Sequence, residues 1–403
     1  MPFQSLRINV KWAVVVLIVI VAIFAAAFSY FHARKLHDHK PNNDFDVYVS
    51  SPEVFRRNYE KMKKELKIYV YPSAGYDNDY VYSVTTASGY TAEDEFFKNL
   101  MNSSFVTSDP EQARLFIIPF SFHTMRRKIK SNKQVKSLLG TYVDDLIYKF
   151  PYWNRTAGSN HVLFACFGAD INATQVIPVL AQNSIRIACM SNYSAGFTSH
   201  KDITIPTALK PFPVRENATE NRTRIAYWFG VCNTSTCKTL VKLWGANLVF
   251  DAKSALDVFV EKLQSSKFCI CPSRSENSNR LITMSILNGC VPVILEDRID
   301  LPFDDILDWR KFSVIVTGVD AYRLKEILEA KSGVAYQILY TNLVKVQKHF
   351  YSLRDDGSTV EYDAFHMTMY ELWLRCQNQR SKHWCSSIDG AVQKIILVDA
   401  TPL

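Results

Sequence analysis

The 403-residue chain has no low-complexity tract and no internal repeat, so it reads neither as a disordered polymer nor as a solenoid. Its cysteines and histidines fall at no zinc-binding spacing, which sets aside a structural zinc module. Basic residues are not interleaved with aromatics on a recognisable module, which argues against nucleic acid as a partner. What is present is a globular composition: 48% apolar residues, 21% charged, 25 Phe and 20 Tyr. The length suits two domains of ordinary size better than one core. The net charge of +8 is modest, and much of it lies in "RRKIKSNKQVK", residues 126–136, with six basic residues in eleven. A solvated face is the ordinary reading of such a run, and contact with an acidic polymer is the sharper one.

One long hydrophobic run stands out. "WAVVVLIVIVAIFAAAFSYF", residues 12–31, carries no charge and as a helix is long enough to cross a bilayer core. No small-x-small cleavage site follows it. The expectation is an uncleaved signal-anchor at 12–31, a cytosolic tail at 1–11 and a polar stem at 32–50. Basic residues flank both sides of the run, so they do not orient it. Seven N-x-S/T sequons do, at Asn102, Asn154, Asn172, Asn192, Asn217, Asn221 and Asn233; they suit a glycosylated lumenal body. The nine cysteines point the same way: Cys232 and Cys237, and Cys376 and Cys385, are spaced for local bridges. Cys269, Cys271 and Cys290 lie in apolar strands and read as buried thiols. The reading is a type II membrane protein of the secretory pathway.

Beyond the stem the pattern alternates. "SPEVFRRNYEKMKKELK" opens with Ser51 as N-cap and Pro52 at the first helical position, and puts Phe55, Tyr59, Met62 and Leu66 on one helical face. Apolar strands follow in "KIYVYP", "ARLFIIPF", "NHVLFACF", "SIRIACM" and "KDITIP", with helical segments such as "DEFFKNLMNSSF" between them. That alternation predicts a parallel α/β sheet. A proline-bearing stretch at 206–224 marks a boundary, giving an N-terminal α/β domain at 51–215 and a second at 224–375. The second runs through "IAYWFG", "KFCICP" and "FSVIVTG" and closes with helices in "AYRLKEILEAKS", "LVKVQKHFYSL" and "VEYDAFHMTMYELWLRC". A polar tail occupies 376–403.

The stretch "CPSRSENSNRLITMSILNGCVPVILEDRIDLPF", residues 271–303, reads as strand, polar loop, helix and buried strand. Ligands in open α/β sheets bind beyond the carboxyl ends of strands, and a helix N-terminus there suits phosphate. Ser273, Arg274, Glu276, Asn277, Ser278 and Arg280 offer donors and charge for a diphosphate and ribose. Gly289 is placed to end the helix.

This segment, continued to "LPFDDILDWRKFSVIV", resembles the signature of the plant exostosin-like glycosyltransferases, family 47. Blocks such as "YTAEDEFFKNLMNSSFVTSDPEQARLFIIPFSFHTMR" and "FPYWNRTAGSNHVLFACFGAD" match in order over about residues 51–375. The resemblance implies a Golgi type II membrane protein with a GT-B fold, two facing Rossmann-type domains, and an inverting transfer from a UDP-sugar to a cell-wall polysaccharide or glycoprotein glycan. The donor then sits mainly on the C-terminal domain, with no tightly bound cofactor and no metal requirement. Departures cluster there. Relatives tend to have glycine at Arg274, arginine at Leu281, an acid at Met284 and arginine at Cys237, beside Lys238; after "HVLFAC" they often read His-Asp where this chain has Phe167 and Gly168.

An inverting transferase needs a base near the acceptor hydroxyl. His123, Asp170 and Glu93 are the candidates, the first two just beyond apolar strands and the third at a helix start. Asp77–Asp79 reads as a turn rather than a metal pair, and His366 as a packed or capping residue. The partners expected are a nucleotide sugar, a glycan acceptor, the Golgi membrane and other glycosyltransferases in complexes. The alternative is a catalytically degenerate relative that stabilises an active transferase.

Overall fold

The structure is a computed structural model that describes residues 46–72, 81–82, 92–207, 222–229, 235–244, 248–251, 256–272, 278–295, 299–317, 320–351 and 360–377. The expected membrane span at 12–31, the Asp77–Asp79 turn, the loop Ser273–Asn277 and most of the stem and tail lie outside these residues. Among the described residues no helix is long and apolar enough to cross a membrane.

Strands of two to seven residues build two parallel sheets. The first comprises β1 (Ile68–Val70), β2 (Leu115–Ile118), β3 (His161–Phe164), β4 (Ile185–Ala188) and β5 (Ile203–Thr204), in the order β1-β2-β3-β4-β5. β2, β3 and β4 are buried on both faces, which is why they read as continuous apolar runs rather than as alternation. Ile68 also bridges Val106 in parallel, on the side of β1 away from β2. The chain therefore goes first to one side of β1 and then to the other, a topological switch point.

The second sheet comprises β6 (Arg224–Phe229), β7 (Leu248–Asp251), β8 (Ser266–Pro272), β9 (Val291–Leu295) and β10 (Val314–Val316), in the order β10-β9-β8-β6-β7. All its pairings are parallel, and the order reverses between β6 and β8. The α/β expectation holds for both sheets. β7 and the Leu256–Ser265 helix were not anticipated; for β7, three apolar residues closed by Asp251 carry little period of their own. The helix expected to open at Leu343 instead spans Val334–Val346 and ends in a 3-10 turn at Gln347–Phe350. Its buried face is Tyr336, Leu339, Leu343 and Val346, so the periodic stripe starts two turns earlier.

Local signals behave as their chemistry dictates. Ser51 Oγ accepts from the Val54 amide, Pro52 opens the helix Pro52–Glu65, and Phe55, Tyr59 and Met62 are buried; each such side chain contributes about 1.5–3 kcal/mol. Gly289, at φ +69°, ends the Ser278–Leu287 helix: its amide bonds to Ile286 O and that of Cys290 to Ser285 O, the paired C-terminal pattern that a left-handed glycine permits.

One contiguous apolar cluster joins both sheets. It includes Val162 and Phe164 of β3, Ile270 and Val293 of β8 and β9, and Phe365, Met369 and Leu372 of the helix at 364–377. A second cluster covers the other face of the first sheet, from Ile118 and Leu163 to Leu139 and Val143 of the Asn132–Lys149 helix. Two disulfides add covalent ties, Cys166–Cys189 and Cys269–Cys290. The second corrects the buried-thiol expectation for Cys269 and Cys290: Cys269 lies in β8 beside the start of β9, where register brings it opposite Pro292, a proximity that linear spacing hides. Cys271 stays a buried thiol. Cys237 is disulfide-bonded, while Cys232 and Cys385 lie outside the described residues.

At the edge of the first sheet, Asp202 is buried with Arg186 and Lys201. Arg186 Nη2 lies 2.5 Å and Lys201 Nζ 2.6 Å from its carboxylate, and the Thr198 amide donates to it at 2.8 Å. Removing one partner of such a buried set leaves uncompensated charge. Asp202→Ala is therefore expected to lose about 3–5 kcal/mol in urea unfolding, whereas Arg310→Ala, at an exposed pair, moves stability by under about 1 kcal/mol.

Candidate active site

The three acid–base candidates come together at the carboxyl ends of β2 and β3. Glu93 sits in the first turn of the Ala92–Met101 helix and is only 4% exposed. Ser121 caps the Phe122–Lys128 helix by accepting from the Thr124 amide at 3.2 Å. Its hydroxyl hydrogen-bonds the Glu93 carboxyl, as does the His123 backbone amide. Burial pushes the Glu93 carboxyl up to about 8, with negative charge at Asp94 and Asp170 adding to it and the bonds from Ser121 and His123 opposing it. Oε1 of Glu93 is buried without a hydrogen-bond partner, so one oxygen is unsatisfied in the protein alone.

The other two candidates have different roles. Asp170 is buried at the start of the Gly168–Thr174 helix, where it accepts from the Phe167 amide at 3.2 Å and from Arg126 Nε at 2.7 Å. It holds Arg126 and the helix end together. His123 is half-buried, and what it presents to Glu93 is its amide rather than its ring.

Of the expected donor residues, Lys238, Ser278 and Arg280 are described, and they lie around the other switch point. β6 and β8 are neighbours, with Trp228 opposite Ile270, so the carboxyl ends of the two strands lie side by side. Lys238 is exposed on the Ser235–Trp244 helix after β6. Ser278 is buried and donates to Pro272 O at 2.5 Å, closing the loop back on β8. Nine of the ten residues of the Ser278–Leu287 helix are buried and Arg280 is the exposed one, so a one-position displacement leaves it open to a ligand. Leu281 and Met284 lie in the apolar cluster. They stand three residues apart, at ion-pair spacing. Both side chains are apolar in an apolar setting, and neither leaves a buried charge unmet.

Asn279 links the two regions. Its Nδ2 donates to Cys189 O, just past β4, and at 2.9 Å to Ile205 O, just past β5. The donor helix thus starts against the carboxyl ends of the first sheet. Ile205 also lines a pocket with Ala92, Glu95 and Phe365, next to Glu93 in the chain.

A second acidic group went unnoticed in the sequence. Asp304, Asp305 and Glu371 bring carboxylate oxygens within 4.8 Å of one another, and Arg375 is ion-paired to Asp305. Burial, then Asp300 and Asp305, raise Asp304 to about 7, and burial raises Glu371 well above its usual range. The i, i+4 spacing of Glu371 and Arg375 was its only local sign. His366 sits in the first turn of the helix at 364–377, which Asp363 caps by accepting from the His366 amide at 2.9 Å. The His366 ring lies 2.9 Å from the same carboxylate, a packed rather than a capping residue. Of the sequons, Asn102, Asn154 and Asn172 are exposed; Asn192 uses its Oδ1 to accept from the Ala195 amide. Asn217, Asn221 and Asn233 lie outside the described residues.

The exostosin GT47 domain profile matches residues 62–331, which takes in both regions. The chain belongs to the exostosin GT47 glycosyltransferase family. Two Arabidopsis thaliana proteins named as probable glycosyltransferases are 30% and 32% identical, over 81% and 84% of this chain and 65% and 72% of their own length. A third, named as a probable glucuronoxylan glucuronosyltransferase, is 28% identical over 71% of this chain and 66% of its own. The solved structure of TarM aligns at 7% identity over 55% of each chain with a TM-score of 0.31, too distant to carry an argument. By family this GT47 chain is a glycosyltransferase.

The raised Glu93 value makes a sign-specific prediction. Its folded value of about 8 lies above the ordinary 4.5, so the stability tied to its proton is present below the lower value and is lost as pH rises through the higher one. Wild type is expected to lose a few kcal/mol relative to Glu93→Gln between about pH 5 and 8. Urea unfolding across that range reads it, and parallel pH profiles would count against a buried Glu93 proton.

Proposed function

We propose that this GT47 protein transfers a sugar, with inversion, from a UDP-sugar to a polysaccharide of the plant cell wall. The supporting observation is the meeting of two switch points: Asn279 holds the N-terminus of the donor helix against the carboxyl ends of the sheet that carries Glu93. In this reading the facing sheets form a GT-B cleft. The diphosphate lies at the start of the Ser278–Leu287 helix, where free amides and Arg280 meet its charge. Glu93, ionised, takes the proton of the acceptor hydroxyl. The acceptor oxygen then bonds to the anomeric carbon as the bond from that carbon to UDP breaks, and UDP leaves with the electron pair.

Disulfides and exposed sequons support the lumen of the secretory pathway, with residues 12–31 as a Golgi signal-anchor. The GT47 relative named as a glucuronoxylan glucuronosyltransferase supports a cell-wall acceptor. The degenerate-partner reading draws on the apolar Leu281 and Met284, and binding measurements separate it from catalysis.

Micromolar to low-millimolar UDP affinity is expected by calorimetry, weakened roughly tenfold in Arg280→Ala, a loss of about 1.4 kcal/mol. A folded protein with no affinity for UDP or UDP-sugars sinks the transferase reading. Glu93→Gln is expected to keep UDP binding and to lose transfer by about 10²–10⁴-fold, the usual contribution of a general base.

A further inference from the structure

We propose that the acceptor is an acidic glycan, bearing uronate carboxylates, and that it docks along a basic ridge leading from Glu93 through Arg126 to Lys133. The inference rests on the transferase reading above and adds the substrate class.

Arg126 is the inner end of the ridge. It lies one helical turn beyond His123, whose amide touches Glu93. Its Nε is bound to Asp170 and its Nη1 to Asn132 Oδ1 at 2.9 Å, while Nη2 is buried without a hydrogen-bond partner. A buried guanidinium donor left unmet is costly, and a carboxylate is the group that best meets it. Outward from there, Arg127, Lys128, Lys130 and Lys133 are all exposed.

A merely solvated face carries acids at helical spacing among its cations. Here no Asp or Glu occurs between Glu111 and Asp144, so from Arg127 to Lys133 the ridge carries one sign of charge. The acids nearest to it are Asp170, already bound to Arg126, and Asp144 and Asp145 in the last turns of the second helix. Such a surface attracts a polyanion and gains little from a neutral chain. Its position decides what the polyanion is for. The ridge begins beside the candidate base, so a chain lying on it delivers its hydroxyls to Glu93.

The test uses the full-length protein and two probes of equal length, an oligogalacturonate and an uncharged xylo-oligosaccharide. Wild type is expected to bind the uronate at least about tenfold more tightly, a preference that shrinks with added salt. The triple variant Arg127→Ser, Lys130→Ser, Lys133→Ser is expected to lose that preference, with UDP affinity and Tm unchanged. Equal affinity for both probes, or a preference that survives the triple variant, overturns the inference. If UDP binds and the uronate preference is missing, the acceptor class alone is wrong. If the uronate preference is present and UDP does not bind, the ridge stands as a glycan site and the transferase reading falls.

Discussion

The geometry of this protein turns on one buried amide. Asn279 sits at the start of a helix in the second sheet, yet its side chain satisfies two carbonyls of the first, Cys189 and Ile205. Those carbonyls lie just past the ends of β4 and β5, where backbone acceptors have no further strand to pair with. Buried acceptors must find donors, and Asn279 supplies two from a single side chain. The helix N-terminus is thereby tied to Ile205, which also lines a pocket with Ala92 and Phe365. Arg375 reinforces this from the closing helix, reaching Ser199 O and Asp202 O while paired to Asp305.

Around that tie, ionisable groups are buried in two contrasting ways. Asp202 is fully matched: two cations and an amide meet it, and it holds the edge of the sheet. Glu93 is only partly matched, with donors on one side and an unpartnered oxygen on the other, and burial raises it to about 8. A matched buried charge is held in place by its partners, whereas a half-met carboxyl whose proton affinity is raised by burial is a candidate for chemistry. Asp170 and His123, close by, serve through a cap and an amide and hold the frame in which Glu93 sits.

The departures from the GT47 pattern look less damaging in three dimensions than in one. Leu281 and Met284 pack into the core as an apolar pair, and Arg280 occupies the exposed position of the same helix. A charge moved by one residue is rotated by about 100°. On a helix that buries every other side chain, that rotation decides whether the charge meets solvent or core.

By itself the sequence determined most of the elements and their order, with β7, the Leu256–Ser265 helix and the start of the Val334–Val346 helix as the exceptions. Continuous apolar strands, Ser51 and Pro52 at a helix start, and Gly289 at a helix end are local signals, because backbone sterics and hydrogen bonding act over a few residues. It also placed His123 and Asp170 just beyond strands and Glu93 at a helix start. Only the tertiary structure decided that Glu93 and Asp170 are both buried, that Asp170 is met by a cap and by Arg126, and that Glu93 keeps an unpartnered oxygen. It alone showed that Cys269 meets Cys290 and that Asp304 and Asp305 meet Glu371. Those outcomes depend on which groups lose water together and on strand register, and both are set by contacts between residues far apart in the chain.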